Sequence, residues 1–284
     1  MRPNRLDETL DRLAERGEKA LITYLTAGDP NPETSLALFR ALAEGGADVL
    51  EMGLPFSDPL ADGPVNQQAA LRALQAGTGV DTVFRLARSL RESCDTPLVL
   101  LTYVNPVLRR GSRRFLAEAA EAGIDALVIP DLPPEESDLG LGGAGLAEEA
   151  RQAGVHLVPF AAPTTTDERL SRLRDARGGF VYCVSLTGVT GVRRNLPPGL
   201  SSLVARVKAH TDLPVAVGFG ISTPEQAAQV AAAADAVIVG SALVREVEAA
   251  VQAGRIPELP GRLRKIAADL KQAIAAGQRI GSKS

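Results

Sequence analysis

The stretch DVLEMGLPFSDPLADG, residues 48–63, joins an apolar run to a loop that carries further carboxylates. The apolar run is typical of a buried strand, yet Glu51 lies in its middle, and Asp58 and Asp62 follow shortly after it. An unpaired carboxylate in a buried strand costs several kcal/mol, because it loses its hydration. We therefore expect Glu51 to have either a charged partner or a chemical role where this strand ends.

Seven further apolar runs of the same kind occur along the 284 residues. They predict strands over residues 20–28, 97–104, 126–133, 156–163, 180–188, 214–220 and 236–242. The segments between them have apolar residues spaced three and four apart, as in residues 31–46 and 80–94, which is typical of amphipathic helices. Near-continuous apolar strands that alternate with helices predict a parallel sheet covered by helices.

The number of these units favours one fold within the α/β class. Eight strands, none with the polar pattern of a sheet edge, fit a (β/α)8 barrel better than an open sheet. We predict a (β/α)8 TIM barrel that forms a single domain over residues 1–284. It has an extra N-terminal helix, a short phosphate-binding helix after strand eight and a flexible tail over about 279–284. In such a barrel, functional groups gather at the carboxyl ends of the strands.

Composition argues against several classes of partner. A formal net charge of -3 gives no electrostatic reason to expect nucleic acid or an anionic membrane. The one basic cluster, RRGSRR at 109–114, has no interleaved aromatic residues and is interpreted as a solvated or protein-facing loop. No apolar run approaches the roughly 18 residues that span a bilayer, and we predict a cytoplasmic protein. Cys94 and Cys183 lack metal-ligand spacing and predict neither a disulfide framework nor a zinc site.

Glycines gather in the loops that follow the last three predicted strands. They are Gly188 and Gly191 after strand six, Gly218 and Gly220 after strand seven, and Gly240, followed by Ser241, after strand eight. Glycine lets backbone N–H groups approach an anion closely, and barrels frequently bind phosphate with the loops after strands seven and eight. We predict a phosphate site here. The alternative is that these glycines only make tight turns between strands and helices.

The carboxylates suit proton transfer beside that phosphate. By alternation Glu51 shares a strand face with Val49 and Gly53, and if this face points inward Glu51 reaches the mouth of the barrel. Partial burial would raise its pKa towards about 6 to 7, which suits a group that gives and takes a proton. Asp62 lies in a loop that can reach back over the same mouth. The alternatives are a structural ion pair for Glu51 and a loop cap for Asp62.

Other chemistries lack the residues they need. A Schiff-base lyase needs a lysine at the carboxyl end of a strand, whereas the five lysines lie on predicted helices, at their edges or in the tail. The only histidines, His156 and His210, lie at the start of a strand and near the end of a helix, so we predict no metal site. The glycine run GLGGAG at 140–145 has no strand directly before it, and we interpret residues 138–146 as a flexible insertion.

Seven segments together resemble one known family, the tryptophan synthase alpha subunits. In chain order they are TYLTAGDP, LEMGLPFSDPLADGP, LLTYVNPV, PDLPPEES, YCVSLTGVTG, VGFGIS and VIVGSALV. The resemblance implies cleavage of indole-3-glycerol phosphate to indole and glyceraldehyde 3-phosphate, late in tryptophan biosynthesis. It implies no cofactor in this chain. It also implies a beta subunit that uses pyridoxal phosphate, in an alpha2-beta2 heterotetramer.

The same resemblance implies roles for individual residues. Glu51 is the implied catalytic acid and base, and Asp62 the group that holds the indole N–H. The implied substrate pocket comprises Tyr24, Leu101, Tyr103, Tyr182 and Thr190, and the implied phosphate site comprises Gly191, Gly220, Gly240 and Ser241. Asp58 and the loops at 106–114 and 131–137 would contact the beta subunit, and the loop over about 186–197 would act as a lid.

Three other functions are consistent with parts of this pattern. A free-standing indole-3-glycerol phosphate lyase would use the same catalytic residues without a partner. A catalytically silent barrel would only bind and regulate a partner, although intact Glu51 and Asp62 argue against it. A phosphosugar epimerase on the same fold would require a metal ion.

Overall fold

A computed structural model describes residues 3–132, 145–175, 178–184, 199–218 and 220–281. Its strand segments are β1 (Ala20–Thr26), β2 (Val49–Gly53), β3 (Leu98–Leu101), β4 (Ala126–Val128), β5 (His156–Leu157), β6 (Phe160–Ala161), β7 (Val181–Val184), β8 (Val215–Gly218) and β9 (Ala236–Val239). All paired neighbours are parallel, in the order β5-β4-β3-β2-β1-β9-β8-β7-β6. The predicted (β/α)8 barrel is confirmed.

Segments β5 and β6 are two halves of the fifth barrel strand, and the barrel closes through them. β5 pairs with β4, and β6 pairs with β7. Between the halves, the Val158 N–H donates to the Leu127 carbonyl at 2.9 Å, and the Pro159 carbonyl accepts from the Tyr182 N–H at 2.9 Å. Proline has no N–H of its own to contribute to a ladder, which explains the interruption at this residue. All eight predicted strands are present, but each is shorter than its apolar run.

Helices follow the strands and cover the sheet. They are α1 (Arg5–Glu15), α2 (Pro32–Glu44), α3 (Pro64–Gln75), α4 (Val80–Arg91), α5 (Val104–Arg110), α6 (Ser112–Glu121), α7 (Leu146–Ala153), α8 (Asp167–Ser171), α9 (Leu200–Lys208), α10 (Pro224–Ala231), α11 (Ser241–Gln252) and α12 (Leu259–Gly281). Helix α12 therefore includes the first three residues of the predicted tail. Within the described ranges, no helix has the length and apolar character needed to cross a membrane.

The basic cluster at 109–114 is helical, so its interpretation as a loop is wrong. Helices α5 and α6 are separated only by Gly111, whose φ of 84° turns the chain between them. Arg110 pairs with Asp81 and Glu118, and Arg114 also pairs with Glu118. Arginine favours helices, and acidic neighbours offset its charge, which a count of basic residues in one segment does not reveal.

Side-chain direction alternates along the strands as the sequence predicts. Ile22, Val49 and Val99 point into the barrel and form one buried cluster, whereas Leu50 and Met52 point outward and pack under the helices. Helix α1 seals the amino-terminal end of this interior with Leu6, Leu10 and Leu13. The predicted N-terminal helix thus completes the core, and the carboxyl ends of the strands remain for the site.

Three aspartates at the amino-terminal end of the barrel hold neighbouring strands together, a feature that was not predicted from the sequence. Each immediately precedes a strand and accepts a hydrogen bond from a backbone N–H at the start of an adjacent strand. The pairs are Asp48 with Leu21 (2.7 Å), Asp125 with Leu98 (2.8 Å) and Asp235 with Val215 (3.0 Å). The segments GGAD, AGID and AAAD that carry them are similar in sequence, which was the available signal.

Candidate active site

Glu51 lies on β2 with its side chain inside the mouth of the barrel. It is 0% exposed, and within the described part of the chain neither carboxylate oxygen has a hydrogen-bond partner. Burial raises its pKa to about 8, and the nearby charge of Asp62 contributes to the rise. This pKa lies above the expected range because the burial is complete rather than partial. No structural ion pair involves Glu51 among the described residues, and it is protonated at neutral pH.

Asp62 lies just before α3 and is held by side chains from two elements. The Tyr103 hydroxyl donates to Asp62 Oδ2 at 3.0 Å and accepts from the Ala61 N–H at 3.1 Å. The Asn66 amide donates to Asp62 Oδ1 at 3.4 Å, and the Gln67 amide donates to the Asp62 carbonyl at 2.9 Å. Burial raises the pKa of Asp62, while the hydrogen bonds from Tyr103 and Asn66 act in the opposite direction.

The tyrosines predicted for the pocket surround these carboxylates. Tyr24 on β1 lies opposite Glu51 in the sheet register, and its hydroxyl is 3.3 Å from Thr26 Oγ1. Burial raises the pKa values of Tyr24 and Tyr182 well above the usual value, with further rises from the charges of both carboxylates. Tyr24 and Glu51 are register partners, and the effect of both carboxylates on the pKa values of Tyr24 and Tyr182 is consistent with one buried cluster.

Two phenylalanines pack against tyrosines that were predicted for the pocket, and Leu101 lies at the end of β3. Phe160 packs against Tyr182 and Phe56 against Tyr103, with ring centroids 5.2 and 5.3 Å apart. Leu101 is half-buried and packs against the core on both sides of the sheet. Neither phenylalanine was predicted from the sequence as a pocket residue, although Phe56 lies within the segment 48–63 that also carries Glu51 and Asp62.

The predicted phosphate site lies partly within the described residues. Ser241 is the first residue of α11, and Gly240 before it has no side chain to cap the helix, so its first N–H groups can meet an external anion. A Cβ at Gly240 would lie 3.2 Å from Tyr24, which places this helix end beside the pocket. Gly220 has a φ of 39° in the loop after β8. Thr190, Gly191 and the predicted lid lie outside the described residues.

The four lysines within the described residues lie away from the two carboxylates. Lys19 and Lys208 bind Asp235, and Lys271 binds Asp48, both at the amino-terminal end of the barrel. Lys265 pairs with a neighbour on α12. Among the described residues, no group of three or more histidines, cysteines, aspartates or glutamates could hold a metal ion.

Comparison with known proteins decides the family. The family model described as "Tryptophan synthase alpha chain" matches residues 10–274. The chain is 49% identical over 249 residues to the tryptophan synthase alpha chain of Carboxydothermus hydrogenoformans, covering 88% of this chain and 91% of the relative. The chain belongs to the tryptophan synthase alpha chain family. The alpha chain of Zymomonas mobilis is 44% identical, with 96% and 97% of the two chains covered.

Solved structures agree with this family. The crystal structure of tryptophan synthase subunit alpha from Legionella pneumophila matches with a TM-score of 0.87 and 39% identity, covering 96% of this chain and 99% of that one. A structure of tryptophan synthase from Mycobacterium tuberculosis matches with a TM-score of 0.84 and 36% identity, covering 96% and 98%. The chain is thus the alpha component of a lyase in tryptophan biosynthesis, and this role implies a beta-subunit partner.

Proposed function

We propose that the chain cleaves indole-3-glycerol phosphate to indole and glyceraldehyde 3-phosphate, with Glu51 and Asp62 as its catalytic residues. One observation carries the proposal. Glu51 is completely buried at the barrel mouth, has no hydrogen-bond partner among the described residues, and has a pKa raised to about 8. A carboxylic acid that is neutral at physiological pH and unengaged is ready to donate its proton.

Glu51 acts first as an acid and then as a base. Its carboxyl proton goes to the indole ring carbon that bears the glycerol phosphate chain, which leaves a positive charge on the ring nitrogen. The Glu51 carboxylate then takes the proton of the adjacent hydroxyl group. The carbon–carbon bond breaks, its electron pair returns to the ring, and the new carbonyl belongs to glyceraldehyde 3-phosphate. Glu51 ends protonated, so the cycle needs no external acid or base.

Asp62 stabilises the charge that develops on the ring nitrogen. Its carboxylate accepts the indole N–H, and negative charge placed there favours the protonated ring over the neutral substrate. Tyr103 and Asn66 hold this carboxylate. The start of α11 and the loop after β8 bind the substrate phosphate at the other side of the pocket, beside Tyr24.

The chain itself contributes no cofactor to this reaction, and pyridoxal phosphate belongs to the beta subunit. We propose an alpha2-beta2 heterotetramer whose interface includes the loop after β2. This loop carries Asp58, which accepts a hydrogen bond from Ser57, and Leu60, which is 93% exposed. An exposed large apolar side chain beside a charged one suits a protein interface. The cytoplasmic location remains a prediction.

The decisive experiment is an indole-release assay on the purified chain. Glu51→Gln should lose about 10² to 10⁴ in rate, and Asp62→Asn should also lose activity, while the exposed Glu92→Gln should match the parent. Parental rates in Glu51→Gln would refute the assignment.

Titration with a beta subunit separates the subunit role from a free-standing lyase, because only the subunit is expected to be activated. Leu60→Ser should weaken that activation without affecting basal turnover. A preparation that releases no indole in any condition would instead favour the silent regulatory barrel. Activity that is unchanged by chelation would exclude the metal-dependent epimerase.

A further inference from the structure

Asn66 is a polar residue on the inward face of a helix. On α3 it lies at helical spacing from Ala69, Ala70 and Ala73, all of which are buried. Its Oδ1 atom is buried and has no hydrogen-bond partner within the described residues. The other half of the amide, Nδ2, donates to Asp62 Oδ1 at 3.4 Å. Exchanging the two amide atoms would set Oδ1 against a carboxylate oxygen, so this orientation is the consistent one.

A contribution to the stability of the fold does not explain why position 66 is an asparagine. A buried acceptor without a partner costs free energy, whereas an apolar side chain of similar size would fill the same space without that cost. What distinguishes Asn66 from such a side chain is its N–H group, and that group reaches Asp62. The expected gain therefore lies in the behaviour of Asp62 rather than in the packing of α3.

The hydrogen-bond donors to the Asp62 carboxylate are uncharged side chains. Among the described residues, no cation pairs with Asp62, which is held by one donor on each oxygen, Tyr103 on Oδ2 and Asn66 on Oδ1. The titratable groups that interact with its charge are Tyr24 on β1, Glu51 on β2, Tyr103 after β3 and Tyr182 on β7. Since none of these side chains supplies positive charge, hydrogen bonds must favour the ionised form.

We propose that Asn66 is a positioning residue that, with Tyr103, fixes the plane of the Asp62 carboxylate and keeps it ionised to face the substrate's ring nitrogen. This inference rests on the proposed function for the catalytic role of Asp62. The hydrogen bond between Asn66 and Asp62 itself does not depend on that function.

The first test measures Asp62 directly. The ¹³C chemical shift of its carboxyl group is followed through a pH titration, and Asp62→Asn identifies the signal. Asn66→Leu removes the donor, so the Asp62 titration should move to higher pH by about half a unit to one unit. Tyr103→Phe should shift it in the same direction. Asn66→Ala serves in place of Asn66→Leu if the latter does not fold.

The matched control is Gln67→Leu. Gln67 is the next residue on the same turn and donates to the Asp62 backbone carbonyl instead of its carboxylate. The Gln67→Leu substitution should leave the Asp62 titration unchanged. Thermal unfolding separates positioning from structure, because Asn66→Leu should melt close to the parental temperature. The loss of a donor to Asp62 and the loss of an acceptor that has no partner among the described residues act in opposite directions.

Kinetics provides the second test. The acidic limb of kcat/KM in Asn66→Leu should move upward with Asp62, so that kcat/KM below the limb falls about three- to tenfold. The substrate phosphate titrates equally for every variant, and comparison between variants isolates the enzyme group. An unchanged Asp62 titration in Asn66→Leu, or an equal shift in Gln67→Leu, overturns the proposal. Parental activity in Asp62→Asn would instead refute the proposed function and leave the NMR result to stand.

Discussion

The buried position of Glu51 predicts that this residue destabilises the fold at alkaline pH. In the folded chain its pKa is about 8, against 4.5 for an ordinary glutamate, chiefly because burial disfavours the charged form. One pKa unit corresponds to about 1.4 kcal/mol. The free energy of unfolding should therefore fall by up to about 5 kcal/mol because of Glu51 as the pH rises.

The direction of the stability change and the pH range over which it occurs follow from proton binding to Glu51. Between pH 4.5 and about 8 the folded chain keeps a proton on Glu51 that the unfolded chain releases. Raising the pH through this window thus favours the unfolded state, and the loss is complete above the folded pKa. Glu51→Gln mimics the protonated form and removes this dependence. The variant should equal the parent at about pH 4 and exceed its stability by about 3 kcal/mol at neutral pH.

Urea unfolding at a series of pH values measures the effect, followed by far-ultraviolet circular dichroism because the chain contains no tryptophan. The relevant quantity is the difference in unfolding free energy between Glu51→Gln and the parent at each pH, which cancels the contribution of other titrating groups. Glu92→Gln, at an exposed position, should follow the parent throughout. A difference that stays constant to within about 1 kcal/mol across the window would mean that Glu51 is ionised and paired at neutral pH, and the reasoning would fail.

Three further predictions concern activity and stability. The pH profile of kcat/KM should fall above about pH 8, because Glu51 then loses the proton that it must donate, and Glu51→Gln should lack this limb. Gly28→Ala should lower the free energy of unfolding, measured in urea, by about 3 kcal/mol. Gly28 has a φ of +83°, and a Cβ there would lie 2.0 Å from Thr78 Oγ1. A cost near zero would contradict this contact. Arg72→Met should destabilise the fold by about 3 kcal/mol, because the buried Asp29 then lacks the two hydrogen bonds of 2.8 Å that Arg72 donates. The melting temperature measures this loss of stability. Asp29→Asn in the same background should recover part of the loss.

The strands and the direction of Glu51 could be predicted because both depend on local pattern. Continuous apolar runs predict buried parallel strands wherever they occur, and alternation assigns Glu51 to the face of Val49 without reference to any other segment. The strand ends were less well predicted. In β3 and β4 the apolar runs continue past the last strand residues into the following loops, and the loop after β3 carries Tyr103.

Other features depend on residues that are distant in the chain. The Tyr103–Asp62 hydrogen bond joins residues 41 positions apart. Arg110 pairs with Asp81 on α4, and Arg113 pairs with Glu149 on α7. The pocket residues predicted from the sequence rest on a family resemblance, not on local pattern. They did not indicate that Asn66 contacts Asp62, because its spacing alone is equally consistent with a packed or an exposed helix residue.

The sequence by itself determined an eight-strand barrel with a carboxylate on the Val49 face of the second strand, since period-two and helical patterns are properties of short segments. Only the tertiary structure decided the chemical state of that carboxylate. Its pKa reflects the removal of water by side chains from several strands and the charge of Asp62 in a separate loop. These distances exist only after the chain has folded, and no local pattern encodes them.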